Sequence, residues 1–356
     1  MSRLLRDRRG VLLGGGALCL LLVLVALQLQ APRTRGLQGE WSATALDGPV
    51  VAGRAQLSGD HTALDLRTGK TVTLGSVRGG TPYVADDRLL VVGRGRVDSA
   101  RLDATARWTW QAPAGDSVTP VAAGGGATIV STCSAKGSCR LVGVDATGRE
   151  SWSSEGARRR DPPAAGALPR VGVSSLGGGV LVTDPATGRS ALQPGRSFVA
   201  LPDGPVVTEV VQGGSCVIAA YLTADPAWTK VLPTCPLGTP RLSPDRIDSA
   251  ILTVSWPSET VRLDLATGSL AAPPANRRTG GKVVAHAADL TAIESREPLR
   301  TNPFRWGRTV TVLRLVDDRS GEVRGQVVSE RPLALLHLDA GSLVVRDGDA
   351  IVRYTL

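Results

Sequence analysis

The side chains of this 356-residue chain that are best suited to catalysis or metal binding are three histidines and five cysteines. His61, His286 and His337 lie far apart in the sequence, without the short spacing typical of zinc-binding histidines. No nucleophile elbow, zinc-protease helix or phosphate-binding loop occurs in the strand–turn–helix context that these motifs require. We therefore expect no catalytic residue, no metal site and no cofactor, and we predict that the protein is not an enzyme.

Four of the cysteines fall into two close pairs. Cys133 and Cys139 flank a turn-like segment, and Cys216 and Cys235 lie on either side of a turn near Asp225. A disulfide across a hairpin is geometrically easy where the α-carbons approach to about 5.5 Å. Zinc binding is the alternative, but the sequence lacks the C-x2-C spacing and the clustered histidines of zinc sites. We predict two disulfides, Cys133–Cys139 and Cys216–Cys235, which form in an oxidising compartment.

The N-terminal region has the pattern of a membrane anchor. Residues 11–30 are uncharged and mostly apolar, which suffices to cross a hydrocarbon core of about 30 Å. Residues 1–10 carry four arginines, so we predict that they stay cytoplasmic and that the rest of the protein lies outside the cell membrane. A cleaved signal peptide is the alternative, but it usually has a shorter apolar core and a small-residue cleavage site. We interpret residues 31–36 as a linker and residues 37–356 as the extracytoplasmic domain.

A short phrase that begins with Asp and usually ends with Gly recurs about every 40 residues, which is the spacing of repeat folds. Its best copies begin and end at Asp65 and Gly69, Asp145 and Gly148, Asp184 and Gly188, Asp264 and Gly268, and Asp317 and Gly321. Each copy lies between two β-rich runs and therefore predicts a hairpin. The Asp side chain can accept hydrogen bonds from backbone N–H groups two residues on, and Gly supplies the positive φ that such turns need. Calcium loops cluster several carboxylates, so we interpret these single aspartates as structural.

The repeat predicts an all-β fold. Two more apolar runs precede each hairpin, which gives four strands per repeat, the number in one blade of a β-propeller. Seven copies of the phrase can be counted if the shortened copy at Asp103 and the degenerate copy at Asp225 are included. Three further strand-like runs follow the last copy, and residues 37–41 resemble an outer strand with no blade before it. Joining these ends completes an eighth blade and hides edge strands. We therefore predict about eight four-stranded blades, with seven as the alternative.

The turn phrase followed by a strand that ends in Trp resembles the quinoprotein-like, PQQ-binding-like propeller repeat. Trp110, Trp152 and Trp228 occupy the closing Trp position of this pattern. The resemblance covers about residues 37–356, and it implies the fold more than the function, because these repeats occur in enzymes and in binding scaffolds alike. It leaves a quinone-cofactor dehydrogenase as the alternative function. The vicinal cysteines of quinoprotein alcohol dehydrogenases are absent from the sequence, and aromatic residues make up only 3% of it.

Composition excludes nucleic acid as the expected partner. The net charge is +9, but residues 1–36 hold six arginines and one aspartate and so account for +5 of it. The remaining +4 is an ordinary surface charge for about 320 residues, and the scarcity of aromatic residues removes a stacking platform for single strands. Arginine greatly outnumbers lysine, which together with abundant Ala, Gly and Val suggests a GC-rich, actinobacterial source.

The spacing between the last two copies of the phrase is long. We interpret residues 294–308 as an insertion that breaks the strand pattern. It contains Arg300, Phe304, Arg305 and Trp306, and aromatic residues and arginine are enriched at binding hot spots. We predict either a partner-binding loop or an inert insertion.

The sequence as a whole favours a membrane-anchored, non-catalytic scaffold for an envelope or membrane protein, or for an envelope ligand. A sensor that acts through another membrane protein is a further possibility.

Overall fold

The computed structural model describes residues 34–75, 79–157, 166–176, 179–195, 197–245, 248, 250–271, 281–298 and 309–356. The chain divides into two compact units. Unit 1 contains residues 1–40 and 277–356, and unit 2 contains residues 41–276. No helix in the described part of the chain is long and apolar enough to cross a membrane. The predicted span at residues 11–30 and the tail at residues 1–10 lie outside the described residues.

The described secondary structure consists of β-strands. The first half of the chain contains β1 (Gln38–Thr44), β2 (Val50–Val51), β3 (Ala55–Leu57), β4 (Thr62–Asp65), β5 (Thr71–Thr73), β6 (Thr81–Ala85), β7 (Arg88–Gly93), β8 (Arg96–Arg101), β9 (Arg107–Gln111), β10 (Ser117–Gly124), β11 (Ala127–Cys133), β12 (Cys139–Val144), β13 (Glu150–Ala157), β14 (Gly166–Ala167), β15 (Gly172–Leu176) and β16 (Gly179–Thr183). The second half contains β17 (Ser190–Pro194), β18 (Ser197–Ala200), β19 (Val206–Gln212), β20 (Ser215–Tyr221), β21 (Pro226–Leu232), β22 (Arg241–Pro244), β23 (Ile251–Ser255), β24 (Thr260–Asp264), β25 (Lys282–Ala287), β26 (Leu290–Pro298), β27 (Thr309–Asp317), β28 (Val323–Ser329), β29 (Leu333–Leu338), β30 (Ser342–Asp347) and β31 (Ala350–Thr355).

In unit 2 the strands pair with their neighbours in the sequence to form successive antiparallel sheets. The described four-stranded sheets are β2–β5, β10–β13 and β18–β21, and β6–β9 form a fourth that gains β14 as a fifth strand. Three strands are described in each of the sheets β15–β17 and β22–β24. Successive four-stranded antiparallel sheets are the blades of a β-propeller. The predicted all-β, β-propeller architecture is therefore confirmed.

Unit 1 contains two further sheets. Strands β25–β28 form one in chain order, and the other has the order β1-β31-β30-β29. The N-terminal strand β1 is thus the outermost strand of the sheet that the C-terminal strands build, which is the position that the sequence pattern assigns to it. The Arg353 side chain on β31 forms an ion pair with Glu40 on β1, with a 3.0 Å N–O distance.

Burial differs between the middle and outer strands of a blade. Every residue of the middle strand β11 is buried, whereas the outer strand β9 alternates between exposed and buried residues. Middle strands pack against neighbouring sheets on both faces and therefore read as continuous apolar runs. One core cluster accordingly joins Ala55 and Leu57 of the first sheet to Val84 and Leu89 of the next. Packing between successive sheets is the source of the core in unit 2.

The segment that the sequence suggested as an insertion is partly regular. Residues 294–298 do not break the strand pattern, because they belong to β26 and pair with β27 as far as Pro298 and Thr309. The expected break between residues 294 and 298 is wrong, since these residues, although mostly polar, continue the antiparallel ladder of a long hairpin. Residues 299–308, including Arg300, Phe304, Arg305 and Trp306, lie outside the described residues.

Candidate functional site

The recurring Asp–Gly phrase forms the turn between the third and fourth strands of a blade. Asp145 Oδ1 accepts hydrogen bonds from the backbone N–H groups of Thr147 at 2.8 Å and Arg149 at 3.0 Å. The Thr147 hydroxyl and these N–H groups hold the pKa of Asp145 below its usual range. Gly148 has φ of 85°. The corresponding N–H···Oδ1 bonds are Arg67 to Asp65 at 2.9 Å, Ala186 to Asp184 at 2.8 Å, Ala266 to Asp264 at 3.0 Å and Arg319 to Asp317 at 2.9 Å.

A tryptophan from the outer strand of one blade covers the turn of the next. The Trp152 indole N–H donates to the Pro185 carbonyl oxygen at 2.8 Å, and a methyl group on Gly188 would lie 2.5 Å from Trp152 Cδ2. Such contacts are closer than real side chains tolerate, so this glycine is required for space as well as for its φ of 71°. The same arrangement joins Trp228 to Leu265 and Gly268, and Trp41 to Arg67 and Gly69. Trp108 also lies against Gly148, through its Cβ, but its indole N–H has no partner among the described residues.

The tryptophan in the second blade is not the one that the sequence pattern indicated. Trp108, rather than Trp110, lies against the Gly148 turn, although both side chains are buried in the same core cluster. Both residues are on β9 and point to the same face, because side chains two residues apart in a strand share a face. The period of the repeat alone therefore could not distinguish them.

Both predicted disulfides are present. Cys133 and Cys139 pair across β11 and β12 with a Cα–Cα distance of 4.1 Å, and Cys216 and Cys235 have a Cα–Cα distance of 4.8 Å. The buried Glu209 carboxylate lies beside the second disulfide, with Oε1 3.5 Å from Cys216 Sγ. Zinc binds thiolates. Because these sulfurs are bonded to each other, the group of Glu209, Cys216 and Cys235 lacks the thiolates that the zinc alternative needs.

A segment between the third and fourth blades departs from the repeat. We call residues 166–170 the hub segment. Its β14 pairs in parallel with β6, the first strand of the second blade, and the Leu168 N–H donates to the Val84 carbonyl at 3.1 Å. The Pro169 carbonyl accepts from the Ala123 N–H on β10 at 2.9 Å. The Leu168 carbonyl accepts from the Asp203 N–H at 2.9 Å, in the turn between β18 and β19. The hub segment therefore connects first strands and turns of three sheets in unit 2.

A buried carboxylate joins the hub segment to two blades. The Asp203 side chain is only 5% exposed and forms ion pairs with Arg54 at 3.1 Å and Arg170 at 3.5 Å. It also accepts a hydrogen bond from the Asp86 N–H at 3.2 Å, and Arg54 donates to the Asp86 carbonyl. Asp86 and Asp203 have positive φ of 56° and 48°, a conformation that Asp tolerates better than most residues. We call Arg54, Asp86, Arg170 and Asp203 the Asp203 network.

Burial raises the pKa of Asp203, although Arg54 and Arg170 oppose that effect. A partly desolvated ion network of this kind can serve structure or catalysis, since both uses perturb pKa values. Its contacts among the described residues are to backbone and side chains of the surrounding turns, so the network connects the hub segment to these turns. Sequence reasoning missed it, because its members come from four separated segments and carry no motif.

A cavity in unit 2 is lined by other residues than those of the Asp203 network. It has a volume of about 560 Å³, within the range of pockets that hold small ligands. Its wall contains the turn between β7 and β8 and the connection from β9 to β10. Most of the lining residues are glycine, alanine or proline, and Arg94 and Asp116 supply opposite charges. The cavity is therefore lined mainly by small side chains and is charged at two points.

The three histidines each interact with a nearby group. His61 Nε2 lies 2.9 Å from the Gly80 carbonyl oxygen, His286 Nε2 lies 2.6 Å from Asp318 Oδ2, and His337 Nε2 lies 3.1 Å from Asp339 Oδ2. The Thr291 hydroxyl donates to the other oxygen of Asp318 at 2.6 Å. In His286–Asp318–Thr291 the hydroxyl therefore bonds to the carboxylate rather than to the imidazole, which is not the order of a nucleophilic triad.

The sequence matches no protein-family model, and no curated protein sequence matches it. The crystal structure of the WD40 domain of SCAP from fission yeast aligns over 91% of this chain and 96% of that chain, with 9% identity and a TM-score of 0.37. The structure of the dihydro-heme d1 dehydrogenase NirN in complex with DHE aligns over 74% of this chain and 59% of that chain, with 16% identity and a TM-score of 0.29. At these scores neither similarity carries an argument about the function of this chain.

Proposed function

We propose that this protein is a non-catalytic scaffold, a β-propeller held at the outer face of the cell membrane, where it binds a membrane or envelope protein. The observation that carries the proposal is the hub segment. Propeller blades surround a central channel, and enzymes of this fold need open space for a cofactor and a substrate. In unit 2 the first strands of two sheets and a turn of a third instead contact residues 166–170, and the Asp203 network adds ion pairs to that contact.

We propose that the propeller has eight blades. The support for this number is the sheet β1-β31-β30-β29, in which an N-terminal strand completes a blade of C-terminal strands, and the eight sheets that the described residues form. Closure of this kind removes exposed strand edges, which would otherwise favour aggregation. The varied turns between the strands of such blades are well suited to binding, since binding residues concentrate on loops held by a rigid framework.

Membrane attachment is part of the proposal. The twenty-residue apolar run at 11–30 and the arginines before it support a single span with a cytoplasmic N-terminus. The disulfides Cys133–Cys139 and Cys216–Cys235 agree with an extracytoplasmic domain, because disulfides persist in oxidising compartments. The whole chain then presents unit 1 and unit 2 to envelope partners.

The cavity around Arg94 and Asp116 is the binding surface that we assign to the partner. Arg94 is exposed and Asp116 is half-buried at the rim of a cavity lined by small residues. A polypeptide can approach closely where glycine leaves the backbone uncovered. We expect a partner segment that offers a carboxylate to Arg94.

The experiment is crosslinking in intact membranes followed by capture of the tagged protein. Arg94→Glu should remove a crosslinked partner, and the matched control Arg107→Glu, an exposed arginine on β9, should retain it. An unchanged set of partners in Arg94→Glu would refute this surface. Reduction of an electron-acceptor dye at the expense of an added alcohol or sugar, dependent on loading the purified protein with pyrroloquinoline quinone and Ca²⁺, would refute the non-catalytic proposal itself.

A further inference from the structure

The segment that precedes β1 is attached to the outer strand of the β25–β28 sheet. Arg35 and Gln326 exchange two backbone hydrogen bonds, at 3.0 and 2.9 Å. The Thr34 hydroxyl accepts a hydrogen bond from the Val328 N–H at 3.1 Å. A methyl group on Gly36 would lie 2.3 Å from the Arg324 carbonyl oxygen, so the backbones are in close contact there. Three of the six residues 31–36, which the sequence suggested as a linker, are therefore held along β28.

This attachment leaves only residues 31–33 as a tether between Thr34 and the predicted span at residues 11–30. The apolar run ends at Gln30 and the first residue bonded to β28 is Thr34. A chain extends at most about 3.6 Å per residue, so the two α-carbons are separated by at most about 14 Å. Strand β28 has seven residues and is roughly 20 Å long at about 3.3 Å per residue. The tether is therefore shorter than the strand to which it is attached.

The tether meets one defined end of the sheet. Thr34 bonds at Val328, next to Ser329, and Ser329 pairs with Thr311 on β27. The ends of β26 and β27 at Pro298 and Thr309 lie at this same end, because Thr309 precedes Thr311 and pairs with Pro298. The opposite end of the sheet carries the turn between β27 and β28.

We propose that this end of unit 1, marked by Pro298, Thr309 and Glu330, faces the lipid headgroups of the membrane. We call it the membrane-facing end. The proposal rests on the proposed membrane anchor, and it adds the surface that the anchor selects. All three residues are exposed, and Arg296 and Arg331 are exposed beside them. Arginines at a membrane surface interact favourably with lipid phosphates, which adds to the geometric argument.

The orientation has a consequence for binding. The turns at the opposite end of the sheet, around residues 318–322, point away from the bilayer. A partner in the envelope would meet those turns first, whereas a partner within the membrane would contact the membrane-facing end. The tether thus decides which loops of unit 1 are available to each class of partner.

The test compares two fluorophore positions in one sheet. The full chain carrying Cys19→Ala receives a single labelled cysteine, either Thr309→Cys at the membrane-facing end or Glu322→Cys at the opposite end; both native residues are exposed. The native disulfide cysteines do not react with the label. Each protein is reconstituted in phosphatidylcholine vesicles with a nitroxide on some headgroups. We expect several-fold stronger quenching at residue 309 than at residue 322, and a ten-residue Gly/Ser insertion after Arg33 should reduce that difference.

Vesicle flotation separates the two ways in which the test can fail. Protein that floats with the vesicles but shows equal or reversed quenching would overturn the orientation and leave the anchor intact. Protein that stays out of the vesicle fraction would overturn the anchor, and the membrane-facing end with it.

Discussion

The Trp152 indole lies directly against the α-carbon of Gly188, and it donates a hydrogen bond to the Pro185 carbonyl at 2.8 Å in the same turn. The tryptophan belongs to the outer strand of one blade and the glycine to the turn of the next. This contact explains why a turn glycine and a strand-closing tryptophan occur in the same repeat. Where this contact occurs, one blade supplies the ring that covers the turn of the next.

The first prediction tests whether the protein needs Gly188 for the space that it leaves to Trp152 as well as for its backbone conformation. Gly188→Ala should destabilise the protein by about 2–4 kcal/mol, because a left-handed alanine costs about 1 kcal/mol and forced overpacking about 1–3 kcal/mol. The matched control is Gly213→Ala, since Gly213 has φ of 58° but has nothing within 4 Å of its added methyl group. The control should lose only the backbone contribution of about 1 kcal/mol. Urea denaturation measures both, and equal losses would show that the tryptophan contact is unimportant.

The second prediction concerns the indole hydrogen bond. Trp152→Phe removes a bond to Pro185, whereas Trp108→Phe removes a buried N–H that has no partner among the described residues. Losing a satisfied hydrogen bond costs about 1 kcal/mol, and losing an unsatisfied donor costs nothing or is favourable. Both changes remove similar ring volume, so Trp152→Phe should be the more destabilising by about 1 kcal/mol or more. A larger loss in Trp108→Phe would contradict this interpretation.

The repeat shows what the sequence could predict and what it could not. The turn at Asp145 and Gly148 and the disulfide between Cys133 and Cys139 are local, so residue type and spacing were sufficient. The contact of Trp108 rather than Trp110 with Gly148 depends on which of two equivalent strand positions reaches the next blade. That choice is made by packing between sheets, which no spacing in the sequence records.

The hub of unit 2 was missed for a related reason. Residues 166–170 carry no motif, yet β14 pairs in parallel with a strand of the second blade. Asp203, Arg54 and Arg170 come from separate turns, and their proximity follows from that non-local pairing. A single sequence carries no signal for such a juxtaposition.

The third prediction follows from the raised pKa of Asp203. The folded protein binds the Asp203 proton more tightly than the unfolded chain, so this residue's contribution to stability is complete below the ordinary Asp pKa and is lost as the pH rises through the higher folded pKa. The free energy of unfolding of the wild type, relative to Asp203→Asn, should therefore fall as the pH rises from about 3 to 6. Denaturation of both proteins across this range measures the difference. A difference that grows with pH would mean that Arg54 and Arg170 outweigh burial.

The fourth prediction concerns the disulfides. Replacing Cys133 and Cys139 together with serine should lower the free energy of unfolding by about 2–3 kcal/mol, and so should replacing Cys216 and Cys235. Peptide mapping without reductant should recover both pairs from the exported protein. Free thiols at all four positions would contradict the pairing and the proposed compartment.

The mass of the protein recovered from the membrane tests the proposed membrane anchor most directly. A β-propeller tethered at the membrane by residues 11–30 must keep those residues after export. Intact-mass analysis of the carbonate-washed membrane fraction should therefore give a chain that retains residues 11–30. A soluble extracellular product that begins near Ala31 would contradict the anchor, the orientation of unit 1 and the proposed place of this scaffold at the membrane.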